Sequence, residues 1–82
     1  MTNAERFETI LKDQYTQLFE ADPAYKGHIA RRTEPADLAK KMTEGLLAGT
    51  ANKDGNGIKR TCRALGVKYT YQSISQYLNQ GV

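Results

Sequence analysis

The sequence predicts an all-α protein with four to five short helices around one core. Apolar residues recur at spacings of three and four along most of the chain. Signals that start and stop helices flank these stretches. The one run with β-forming residues, residues 67–71, is too short to form a sheet alone. At 82 residues, the chain is expected to form a single helical domain over residues 1–82.

The first predicted helix has the clearest boundaries. Thr2 and Glu5 match the S/T-x-x-E capping box, so a helix should begin at Asn3, and it should end where Asp22 precedes Pro23. Its apolar stripe is interpreted as core, with a dimer interface as the alternative. The stripe residues are Phe7, Ile10, Leu11, Tyr15, Leu18 and Phe19.

Two further segments follow. Pro23 can open a short second helix that closes at Arg31 and Arg32, although Gly27 makes a loop with one helical turn the alternative. Thr33 and Glu34-Pro35 then start another helix, which Gly49 should cap. The apolar stripe of that helix contains Leu38, Ala39, Met42, Leu46 and Leu47. Residues 50–57 are rich in Gly, Asn and Asp and predict a loop.

The last third of the chain predicts two short helices joined at Gly66, which can close the first in a left-handed conformation. Thr70 can cap the second. Each helix has apolar residues on one face, with Val67 packing over the turn between them. These residues are Ile58, Cys62 and Leu65 in the first helix, and Tyr71, Ile74 and Leu78 in the second.

Charge is distributed unevenly. The net charge is +3, but residues 1–25 carry two basic and five acidic groups, whereas residues 26–82 carry ten basic and four acidic groups. No acidic residue follows Asp54. A cationic half of this kind indicates a polyanionic partner, and an ordinary solvated surface is the alternative.

Candidate DNA contacts fall into two sets. Phosphate contacts are expected from Lys59, Arg60, Arg63, Lys68, Arg31 and Arg32. Contacts to base edges are expected from Gln72, Ser73, Ser75, Gln76 and Asn79, because amides and hydroxyls can bond bases. The alternative for the second set is a polar face turned to solvent.

Catalysis and metal binding are not expected. The single histidine and single cysteine, His28 and Cys62, cannot supply a zinc site with ordinary spacing. Residues 52–57 resemble the start of a calcium loop, but Arg63 occupies the position that should hold a glutamate. We therefore expect no enzymatic activity and no cofactor. Without a long apolar run or a paired cysteine, a cytoplasmic location with no membrane contact is expected.

The run IKRTCRALGV, residues 58–67, resembles the first half of a helix-turn-helix, in which a small residue precedes a Leu-Gly-apolar turn. Ile74 follows Gly66 at a greater distance than in the usual motif. The resemblance implies a small regulator or accessory factor that binds double-stranded DNA, and a homodimer is expected. In its short length and general sequence character, the chain also resembles small proteins encoded by phages, prophages and mobile elements.

A protein-binding module is the alternative function. Tyr69, Tyr71 and Tyr77 cluster within nine residues, and tyrosine is enriched at protein interfaces. Such a module would resemble a phage-encoded inhibitor of a host or defence complex, as anti-CRISPR proteins are. The partner would then be a protein.

Overall fold

The computed structural model describes residues 1–22, 34–50 and 56–80. Within these residues it contains four helices and no strand, which confirms the all-α class. The helices are α1 (Asn3–Ala21), α2 (Pro35–Ala48), α3 (Gly57–Leu65) and α4 (Tyr71–Asn79). The predicted short helix between Pro23 and Arg32, and most of the loop after Thr50, lie outside the described residues.

Helix α1 begins and ends where the sequence predicts. The Thr2 N–H donates to Glu5 Oε1 at 3.0 Å, and the Glu5 N–H donates to Thr2 Oγ1 at 3.1 Å, which completes the capping box. The Asp22 N–H donates to the Leu18 carbonyl at the other end. Five stripe residues are buried, and Ile10 is half-buried; the buried ones are Phe7, Leu11, Tyr15, Leu18 and Phe19. The stripe is therefore core.

Helix α2 ends at Gly49, which has the left-handed φ of 77° that favours glycine. Leu38, Ala39 and Leu46 are buried as predicted. Leu47, the last residue of the predicted apolar stripe, does not face the core and is 44% exposed. It follows Leu46 by about 100° around the helix and so lies beyond the buried face.

Helix α3 ends in the predicted glycine turn. Gly66 has a φ of 71°, and the Val67 N–H donates to the Cys62 carbonyl at 2.9 Å. Ile58 and Cys62 are buried, and Leu65 and Val67 pack against the core from partly buried positions. Gly57 was expected in the loop, but it is the buried first residue of the helix.

Helix α4 begins at the predicted cap, because Thr70 Oγ1 accepts a hydrogen bond from the Ser73 N–H at 3.1 Å. Ile74 and Leu78 are buried. Tyr71, which its spacing places with Ile74 and Leu78 on one face of the helix, is not part of the core, and its side chain is 50% exposed.

Helix α1 is the centre of the packing, and α2, α3 and α4 all contact it. Helix α4 also contacts α2, whereas α3 and α4 share few contacts with each other. The amide of Asn3 donates to the Tyr77 carbonyl at 2.9 Å and thereby joins the start of α1 to α4. The helix-turn-helix-like pairing of α3 with α4 is not confirmed, because α3 packs mainly on α1, whereas α4 packs on both α1 and α2.

Candidate nucleic-acid interface

The outer face of α3 is cationic. Lys59, Arg60 and Arg63 are exposed, and their spacing places them within an arc of about 100° on the helix. Ile58 and Cys62 fill the opposite face and are buried against the core. Burial of the apolar face therefore turns all three cations toward solvent.

Lys68 follows the turn at Gly66 and is also exposed. The four cations therefore occupy one short segment, residues 59–68, which ends two residues before the cap of α4. Within the described ranges, no acidic side chain is paired with any of them. Their positive charge is available to a partner in solution.

The outer face of α4 carries carboxamides. Gln72, Gln76 and Asn79 are exposed at positions i, i+4 and i+7, opposite the buried Ile74 and Leu78. No residue of α4 is charged. This face can therefore donate and accept hydrogen bonds without carrying charge.

The polar side chains of α4 are not equally free. Asn79 Nδ2 donates to the Ser75 carbonyl at 2.8 Å and lies 3.4 Å from Ser75 Oγ. Ser73 and Ser75 are only half exposed. In the described part of the chain, the side chains of Gln72 and Gln76 form no hydrogen bond. These two amides are thus the ones open to an external partner.

Nine predicted contact residues lie in α3, in α4 or in the segment between them, and residues 66–70 connect the two helices. They are Lys59, Arg60, Arg63, Lys68, Gln72, Ser73, Ser75, Gln76 and Asn79. The remaining two, Arg31 and Arg32, lie outside the described residues. The structure therefore places the predicted phosphate and base contacts on consecutive elements.

A groove between the end of α2 and the start of α4 was not predicted. It has a volume of about 570 Å³ and is lined by residues that include Leu47, Gly49, Tyr71 and Ser75. Leu47 and Tyr71 are the largest exposed apolar side chains beside it. Two sequence signals favoured a surface position for Tyr71: its place in the tyrosine cluster of residues 69–77, and its hydroxyl, since a polar tip is commonly in water.

The described residues give little support for metal binding, a reactive cysteine or a membrane-spanning helix. They contain no group of three or more side chains that could hold a metal ion. Cys62 is buried at 1% exposure and behaves as a small apolar residue. None of the helices described has the length and apolar character needed to cross a bilayer.

No family model, curated protein or solved structure matches the chain. The cationic face of α3 and the amide-bearing face of α4 are therefore the basis for a functional interpretation.

Proposed function

We propose that this chain is a small non-enzymatic protein that binds double-stranded DNA, as a transcriptional regulator or accessory factor. The observation that carries the proposal is the exposed cationic segment, residues 59–68, directly followed by a helix with an uncharged hydrogen-bonding face. Cations supply the affinity for phosphates, and neutral amides supply contacts to bases. The two kinds of contact are carried by elements that are consecutive in the chain.

In the proposed complex, Arg60 and Arg63 contact backbone phosphates beside the groove that α4 enters. Their contacts release counterions from DNA, which makes binding sensitive to salt. Helix α4 presents its amide face to base edges, in the role of the second helix of a helix-turn-helix. The apolar face of α4 stays on α1 and α2, so no unfolding is needed for binding.

A gel shift measured beside light scattering tests this function. Duplex DNA should shift at micromolar protein, and the shift should weaken as salt rises. Light scattering should show whether the bound species is the homodimer that a two-fold DNA site favours. Absence of a salt-sensitive shift with folded protein would contradict the DNA-binding proposal.

We propose binding to another protein as the second candidate. The observation in its favour is the groove between α2 and α4, beside which Leu47 and Tyr71 are 44% and 50% exposed. Exposed aromatic side chains at grooves are common anchors for protein partners. An inhibitor encoded by a phage or mobile element would use such a surface. A stoichiometric protein complex without nucleic acid, lost in the L47A/Y71A double variant, would favour this role.

A further inference from the structure

Gln72 and Gln76 lie one helical turn apart on the exposed face of α4, and both have uncommitted side-chain amides. We propose that this pair reads two adenines, two base pairs apart, in the major groove of A·T-alternating DNA. The inference depends on the DNA-binding function proposed above. It assigns the residues that select the DNA sequence and the bases that they select.

The chemistry of the side chain selects the base. In a bidentate pair, one N–H of a glutamine amide donates to N7 of adenine, and the amide oxygen accepts from the N6 amine. Guanine presents two acceptors at the same edge, and arginine or lysine is their usual partner. Helix α4 contains neither arginine nor lysine. Its exposed face is therefore suited to adenine rather than guanine.

The spacing of the pair selects the repeat. Residues four apart on a helix are separated by about 6 Å along its axis. Base pairs two steps apart are separated by about 6.8 Å, since each step rises about 3.4 Å. Alternating A·T DNA places an adenine at every second position of each strand. Each of the two glutamines can then contact one adenine while the helix keeps its regular geometry.

Asn79 does not extend the pair to a third base. Its Nδ2 already donates to the Ser75 carbonyl at 2.8 Å and lies 3.4 Å from Ser75 Oγ, so the orientation of its amide is set within the helix. A bidentate contact to adenine needs the amide turned so that its nitrogen and its oxygen both face the base edge. The readout is therefore assigned to Gln72 and Gln76 alone.

The test compares three double-stranded polymers at one salt concentration: alternating dA-dT, alternating dG-dC and alternating dI-dC. Inosine carries the major-groove edge of guanine but lacks the minor-groove amine, so dI-dC separates readout in the two grooves. Wild-type protein should bind dA-dT about tenfold or more tightly than the other two. Binding of dI-dC as tight as binding of dA-dT would overturn the inference, because the preference would then arise in the minor groove.

Variants identify the residues responsible. Q72A and Q76A should each lose most of the preference for dA-dT, and the double variant should bind all three polymers alike while keeping its salt dependence. Q17A removes an exposed amide from α1 and is the matched control, which should keep the wild-type preference. If the double variant keeps the preference for dA-dT, the inference about Gln72 and Gln76 is wrong, whereas the proposed DNA binding is unaffected. Failure of folded wild-type protein to bind any of the polymers would overturn the proposed function as well.

Discussion

The ring of Tyr15 occupies the space that a side chain at Gly57 would need. A β-carbon on Gly57 would lie 2.5 Å from Cε1 and 2.9 Å from Cδ1 of that ring. Both residues are buried, and they join the middle of α1 to the first residue of α3. This close approach sets how α3 sits on α1 and therefore where its cationic face lies.

Gly57→Ala is expected to destabilise the protein by about 1–3 kcal/mol, because the ring of Tyr15 is packed on all sides and must move. Urea unfolding measures the effect. In a Tyr15→Leu background the same change should cost less, since leucine lacks Cε1, the ring atom that the added carbon approaches most closely. Equal costs in the two backgrounds would show that the ring is not the cause.

Two buried threonines should respond in opposite ways to replacement by valine. Thr43 is 3% exposed and its Oγ1 has no hydrogen-bond partner among the described residues, so Thr43→Val should leave stability unchanged or raise it by about 1 kcal/mol. Thr61 is fully buried and donates to the Gly57 carbonyl at 2.8 Å, so Thr61→Val should lower stability by about 1 kcal/mol. Thermal unfolding of the two variants, measured side by side, checks the contrast. Similar shifts of the same sign would contradict it.

Asn3→Ala should loosen α4, although the two are far apart in sequence. The substitution removes the 2.9 Å hydrogen bond from the Asn3 amide to the Tyr77 carbonyl, at an expected cost of about 0.5–1.5 kcal/mol. Amide hydrogen exchange should accelerate in α4 as well as in the first turn of α1. Acceleration confined to α1 would indicate that the bond does not hold α4 in place.

The pKa of Glu5 is expected below its ordinary value, because the Thr2 backbone N–H and then the Thr2 hydroxyl donate to its carboxylate. A carboxylate with a lowered pKa in the folded state stabilises the protein above its unfolded pKa, and this contribution is lost as pH falls through the folded pKa. Titration followed by NMR measures the pKa. Glu5→Gln should reduce the pH dependence of stability on the acid side, and an unchanged dependence would contradict the assignment.

Most ends of the helices, though not the start of α3, were predictable because their chemistry is local. Thr2 and Thr70 cap through their own hydroxyls, and Gly49 and Gly66 adopt the left-handed conformation. Each of these features depends on a few neighbouring residues. They were therefore recognisable from sequence alone and are confirmed by the structure.

Features that depend on packing between helices were not predictable. The spacing of Leu47 and Tyr71 fits an apolar stripe, but the rotation of α2 and α4 against α1 leaves both exposed. The same rotation buries Thr43, which no apolar pattern would include. The exposure of Arg60 and Arg63 was predictable from the opposite apolar face, whereas the separate docking of α3 and α4 on α1 required the structure.

The salt dependence of duplex binding is the most direct measurement of the central claim. Affinity should fall linearly on a logarithmic scale as salt rises, and R60Q/R63Q should bind more weakly with a slope smaller by about two, one for each lost phosphate contact. R6Q/K12Q, which removes two exposed cations from α1, should keep the wild-type slope. If R60Q/R63Q and wild type bind DNA with the same affinity and the same slope, the cationic face of α3 is not a DNA-binding surface.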